Sequence, residues 1–404
     1  MSSSTTTPGV STTLSTLFRS ACAGLFALLL LVLVQPAHAQ DSDDLPTIDF
    51  SVDLMQSAQY LSLDQDGTDP IAGFHAMRAG LNTSVQFSEN VSGLLMLQSE
   101  PNDFAGASGA AIFQPQVDFA ILNLQLSDNL TFQTGTPVTG LLNFRGFSDG
   151  PVVQGNPMIG NSLADMITAG QGIKLIGSYE TVGFDVTVNR GFGEDLTNLN
   201  GGNTGVNIIG KARYTGHDVF KFGGGIGLST GSGVGPNGPD NSNEGLIFAN
   251  GDRENYNLGS VTGGTNSTAT HANIPSGTIA QVDGKVTTAG ADVDLWLGYG
   301  TESDVYPGDD DTFTALFGGL GLKYDLTDDF YAAGRFSYAG DQSDAVSDAD
   351  DTAMSRIQLG IGYMVYDKAL LKVEYVTQSE ADNTALSRIS NDWQGVTTEL
   401  SFNF

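Results

Sequence analysis

From Arg356 to the last residue, apolar side chains recur at every second position. Ile357, Leu359, Ile361, Tyr363 and Val365 share one face, while Arg356, Gln358, Gly360 and Gly362 share the other. Leu371, Val373 and Tyr375 then oppose Lys372 and Glu374. The final segment sets Val396, Thr398, Leu400, Phe402 and Phe404 against Thr397, Glu399, Ser401 and Asn403. Upstream, Leu316, Leu320, Leu322 and Tyr324 oppose Lys323 and Asp325 in the same way. A period of two marks strands, because successive side chains of an extended chain point to opposite faces. A soluble sandwich would turn the apolar face into a core and a membrane barrel would turn it into lipid, so periodicity alone leaves both open.

The N-terminus separates the two. Residues 1–39 read as a secretory signal that is removed. A Ser/Thr-rich start carries one cation, Arg19; an apolar run follows from Leu25 to Val34, and Ala37-His38-Ala39 stands before Gln40. The run is about 10 residues, where a spanning helix needs roughly 20. Cys22, the one cysteine of the chain, lies ahead of the run. It is badly placed for lipidation and leaves with the signal, so the mature chain has no disulfide and no cysteine-based metal site. Residues 40–404 hold no apolar stretch long enough for a helix to span, so a membrane crossing has to be made by strands.

Along the mature chain, pairs of alternating segments are joined by very short polar turns and separated by longer polar connections. The turns are Ser88-Glu89-Asn90, Ser127-Asp128-Asn129, the stretch around Gly216-His217-Asp218, Thr327-Asp328-Asp329, and Asp367-Lys368. This layout, with Tyr324, Phe330, Tyr331, Tyr363, Tyr366 and Phe404 near the turns or the chain end as an interfacial aromatic girdle, predicts an all-β protein. It is a transmembrane antiparallel β-barrel with short periplasmic turns and long extracellular loops over residues 40–404. About 15 to 16 strands can be counted, and barrels of one chain have even strand numbers, which favours 16. The stretches 101–115 and 229–289 are the uncertain ones, with room for one or two further strands. The ending Ser401-Phe402-Asn403-Phe404 resembles the signal by which barrel-assembly machinery takes up outer-membrane proteins.

Parity then sorts the charges. The cations expected to line the lumen are Arg78, Lys174, Lys211, Arg213, Lys221, Lys323, Arg335, Arg356 and Lys372. The acids are Asp49, Asp53, Asp185, Asp292, Asp294, Asp325, Glu374 and Glu399. A strand charge facing lipid near the midplane costs about 2 to 4 kcal/mol for Arg or Lys, which by itself forces such residues inward. Once inside, they set a field that sorts ions and polar solutes. The stretch from Gly140 to Gly170, with Arg145, Asp149 and Asp165, is a candidate constriction loop that folds into the lumen. The net charge of −30 excludes nucleic acid as a partner, because phosphate backbones call for clustered Lys and Arg. Of the mature histidines, His75, His217 and His271, none is paired with a nucleophile and an acid, and no spacing matches a dedicated cation loop. The reading is therefore non-enzymatic, with no cofactor and no metal.

The run from Asp118 to Leu126, the turn Ser127-Asp128-Asn129, Leu130 to Gly135, then Gly172-Ile173-Lys174-Leu175-Ile176-Gly177 and Gly183 to Gly191 resembles the middle of the phosphate-selective porin family. That family follows a strand pair with a loop, a G-x-x-L-x-G strand and an N-x-G ending, here Asn189-Arg190-Gly191. The resemblance implies a 16-stranded, trimeric porin with a constriction loop. The family's dense ladder of lumen Arg and Lys is sparse in this chain. The expected function is passive diffusion of small hydrophilic solutes or ions through an outer-membrane porin, with outer-membrane lipids around it. The alternative is an adhesive or structural barrel whose long polar loops bind a surface partner.

Overall fold

The computed structural model describes residues 46–63, 69–99, 116–137, 140–144, 153–159, 171–190, 206–230, 276–303, 312–341, 354–380 and 392–404. The chain divides into Met1–Leu45, which lies outside the described residues together with the expected signal, and Pro46–Phe404.

The alternating segments form sixteen strands. They are β1 (Thr47–Leu63), β2 (Ile71–Ser88), β3 (Val91–Ser99), β4 (Gln116–Ser127), β5 (Leu130–Gly135), β6 (Gly172–Tyr179), β7 (Val182–Arg190) and β8 (Val206–Tyr214). The second half has β9 (Phe220–Thr230), β10 (Ser276–Thr288), β11 (Ala291–Ser303), β12 (Thr312–Asp325), β13 (Phe330–Asp341), β14 (Met354–Tyr366), β15 (Ala369–Glu380) and β16 (Trp393–Asn403). Each pairs antiparallel with its sequence neighbours, and β1 pairs with β16 to close the barrel. Closure removes both sheet edges, so each strand has a ladder partner on either side and needs no help from water where the ladders run. The two ends of the chain are tied across the seam, where Phe404 N donates to Val52 O and Val52 N to Phe404 O.

Seven short turns join the strands at one end, including Glu180-Thr181 and Ala289-Gly290, which the sequence reading did not single out. Tight two-residue turns need a left-handed residue, and Gly290 (φ 81°) and Lys368 (φ 70°) supply it. The strand ends that the long connections join all lie at the other end. In the uncertain stretch 229–289 the described residues 276–288 form β10, which pairs with β9 and β11. Its thin apolar alternation had concealed it. What remains of that tract, 231–275, lies outside the described residues.

The barrel is inside out relative to a soluble domain. Leu295, Leu359, Val282 and Phe74 are 59, 56, 60 and 84% exposed on the outer wall, while Gln358, Thr397 and Gln378 are buried on the inner one. Bulky interior rings lie across cross-strand glycines: Phe317 over Gly298, Trp296 over Gly319 and Tyr331 over Gly362. Tyr331 is therefore not part of the aromatic girdle. Strand β13 begins with Phe330 facing outward beside Tyr363, at 6.5 Å between ring centres, so its successor faces inward and is 8% exposed. Tyr324, Tyr363, Tyr366 and Phe404 remain on the outside, at 46, 48, 76 and 56% exposure.

Candidate functional site: an internal strap between charged walls

Strand parity carries the charges to the interior in three sectors. On β6 to β8, Asp185 stands opposite Ile176 and Lys211 in register. Its Oδ2 receives three cations: Arg213 Nη1 at 3.0 Å, Lys174 Nζ at 3.6 Å and Lys211 Nζ at 3.7 Å. Three cations on one carboxylate leave this wall positive.

On β9 to β12, Lys285 pairs in register with Lys221 and Asp294, and its Nζ lies 3.0 Å from Asp292 Oδ2. Asp292 stands opposite Lys323, whose Nζ is 2.8 Å from Asp325 Oδ1 and 5.0 Å above the Tyr331 ring. The side chains of these two ion pairs are 26 to 50% exposed, so water reaches them. Lys285 and its neighbour Asp283 were missed in the sequence because they lie on the concealed strand.

The third sector departs from expectation. Arg335, Arg356, Lys372, Glu374 and Glu399 of β13 to β16 are on the interior face but only 7, 1, 1, 1 and 2% exposed. Parity fixes the face of a strand residue but says nothing of what covers it. Lys372 Nζ and Glu399 Oε1 are 2.9 Å apart, Arg356 Nε donates to Gln378 Oε1 at 2.6 Å, and Gln358 Nε2 donates to Glu374 Oε1 at 3.3 Å. These groups brace the wall and hold a loop against it instead of meeting solvent.

That loop is the connection from β5 to β6, and its described segments 140–144 and 153–159 both lie against the wall. In 140–144, Leu141 is 3% exposed and rests on β9 where Gly223, Gly225 and Gly227 leave a trough. A Cβ at Gly225 would stand 2.9 Å from Leu141 Cδ2, and one at Gly223 2.6 Å from Asn143 Nδ2. Asp283 accepts from Asn143 N at 2.6 Å, Asn143 Nδ2 at 2.8 Å and Phe144 N at 3.1 Å, while Lys211 Nζ donates to Gly140 O at 2.7 Å.

In 153–159, which opens with a 3-10 turn over Val153–Gly155, Met158 packs with Tyr331, Ala333 and Leu370. Ile159 N donates to Glu374 Oε2 at 2.7 Å, Lys372 Nζ to Met158 O at 3.4 Å and Tyr331 Oη to Pro157 O at 3.1 Å. Arg335 Nη2 donates to Asn156 Oδ1 at 2.8 Å, and Gln154 Nε2 to Lys368 O at 3.0 Å. The loop is thus a strap fixed to two separate walls from inside the barrel. Its apolar anchors, Leu141 and Met158, and the β9 glycines carried a signal in the run Gly223-Gly224-Gly225-Ile226-Gly227, but no sequence pattern pairs them.

The remaining sector, β1 to β5, is polar with few charges. Asn82 Nδ2 donates to Asp53, Asn123 Nδ2 to Ser92 Oγ at 3.2 Å and Gln133 Nε2 to Asn123 Oδ1 at 2.7 Å. Arg78 stands opposite Met55 in register, and its side chain lies outside the described residues. So do Arg145, Asp149 and Asp165, His271 and the side chain of His75. His217 is an exposed turn residue whose Nδ1 accepts from Val219 N at 3.1 Å and whose ring tilts against Phe220.

Sixteen antiparallel strands in a closed ring, an apolar exterior and a connection folded inside define the fold class as that of the outer-membrane β-barrels. Neither a protein-family model nor a characterised protein sequence matches the chain. Solved structures do. The chain is similar to the outer membrane channel DcaP of Acinetobacter baumannii, at 11% identity, 89% of this chain, 97% of that chain and TM-score 0.59. It is also similar to OmpT, an outer membrane protein of Vibrio cholerae, in its trimer form (14% identity, 89% and 100% of the two chains, TM-score 0.57). An anion-selective porin from Comamonas acidovorans matches at 11% identity over 89% and 100%, TM-score 0.55. At such identities the shared property is the porin-like fold.

Proposed function

We propose that this chain is an outer-membrane porin, a water-filled channel for passive diffusion of small hydrophilic solutes or ions. The observation that carries the reading is the inversion of the wall, apolar and exposed outside, polar and charged inside, with a strap fixed within. An apolar outer band is stable only against lipid, and a polar interior that holds a strap narrows a passage through it. In this reading residues 1–39 direct export and are removed. Strand β16 presents the chain to barrel-assembly machinery, the short turns face the periplasm, and the barrel works as a homotrimer without catalytic activity. The charges in contact with water, Arg213, Lys221, Lys285, Asp292, Asp294, Lys323 and Asp325, act on the permeant.

The purified protein in planar bilayers is expected to give discrete conductance steps. A folded barrel that gives none would end this reading.

A further inference from the structure

We infer that Asp283 is the positioning residue that latches the strap over the positive β6–β8 wall, and so sets both the size limit and the ion preference of the channel; this rests on the porin reading. The two arms are held differently. The 153–159 arm is attached through Gln154, Asn156, Pro157, Met158 and Ile159 to six different residues of the wall and the turn below it: Lys368, Ser401, Arg335, Tyr331, Lys372 and Glu374. On the 140–144 arm, three of the four side-chain hydrogen bonds described converge on the one carboxylate of Asp283.

A carboxylate accepting backbone N–H groups makes charge-assisted bonds, about twice as strong as neutral ones, and nothing else on β10 replaces them among the described contacts. The trough of Gly223, Gly225 and Gly227 seats the arm, but a trough without a latch only permits contact. The fourth bond, Lys211 Nζ to Gly140 O, ties up one of the three cations gathered on Asp185. Removing the latch lets the arm leave while the other arm stays pinned. That widens the lumen beside β8 to β10 and uncovers Lys211.

The test is Asp283→Ala in the full barrel, with folding checked by the heat-dependent electrophoretic mobility of intact barrels. Expected are a rise in single-channel conductance, faster liposome swelling with larger sugars relative to small ones, and a reversal potential moved towards anions. If the alanine variant does not assemble, Asp283→Asn carries the same expectation, since it sets a donor against the strap's N–H groups while keeping the shape. A folded variant of either kind with conductance, sugar cut-off and reversal potential all unchanged overturns the inference.

A second readout does not depend on conductance. Cys22 is the only native cysteine, so a Leu141→Cys/Gly225→Cys pair reports the seated arm by forming a disulfide. Adding Asp283→Ala should slow that cross-link, and the oxidised pair should return the parent's conductance. An unchanged cross-linking rate overturns the latch even if the protein conducts. A slowed rate in a protein that never conducts upholds the latch and sinks the porin reading alone.

Discussion

Lys372 and Glu399 sit 2.9 Å apart on neighbouring strands at 1 and 2% exposure, so each offsets the other's charge away from water. Removing one partner of a buried pair leaves an uncompensated charge and costs about 3–5 kcal/mol, whereas replacing both with apolar groups is close to neutral. Lys372→Met is therefore expected to lower the barrel's stability in urea by about that amount, and Lys372→Met/Glu399→Leu by much less. Equal losses for the single and double variants would show that the pair is not the relevant unit. The outer wall makes the opposite demand. Leu295 and Leu359, 59 and 56% exposed near the middle of their strands, face lipid in the proposed membrane. Leu359→Arg should cost about 2–4 kcal/mol, measured as reduced folding into vesicles, because a cation has no solvation there. If the Leu359→Arg variant folds as well as the parent, a lipid-facing wall is contradicted.

At the scale of elements, β10 and the strap depend on each other. β10 supplies Asp283 to the strap and pairs in register from Ser276 with Thr230 of β9. The ends of β9 and β10 are therefore neighbours in the ladder, and the connection between them is closed by the sheet itself. Deleting residues 231–275 and joining the strands through a short Asn-Gly turn should preserve folding and single-channel conductance. Binding to a surface partner, if the long loops serve adhesion, should be lost. A deletion reaching into 276–288 should instead destroy the barrel, because it removes a strand and its two ladders. Equal tolerance of the two deletions in a folding assay would refute the placement of β10.

For the whole molecule the charges are layered along the barrel. The short turns carry Glu89, Asp128, Glu180, Asp218, Asp328, Asp329 and Asp367 against Lys368, and the cations of β6 to β12 lie inside that rim. With a chain charge of −30, an ion reaching the mouth meets a negative field first. A weak cation preference in a salt gradient is the expected sign. It should fade as salt rises, because the screening length falls from about 10 Å at 0.1 M to about 3 Å at 1 M. An anion preference in the unaltered protein would mean that the inner cations outweigh the rim. In that case the β6–β8 wall, not the mouth, governs selection.

The sequence by itself determined the strands and their faces. A side chain's direction in a strand follows from the backbone alone, so Glu399 and Lys372 could be put inside and Leu400 and Leu371 outside before any partner was known. Nearness to a turn is a weaker guide than parity, and it misplaces Tyr331 in the girdle; over β10 the glycines, threonines and charges dilute the alternation itself. What only the tertiary structure decided is which inward residues meet water. Arg213, Lys323 and Asp292 do so, while Lys372, Glu374 and Arg356 are covered. Whether a lumen charge filters or braces depends on contacts between residues more than a hundred positions apart, such as Asn143 on Asp283 and Ile159 on Glu374. Such contacts carry no periodic trace in the chain, because they arise where a loop meets a wall only after the barrel has closed.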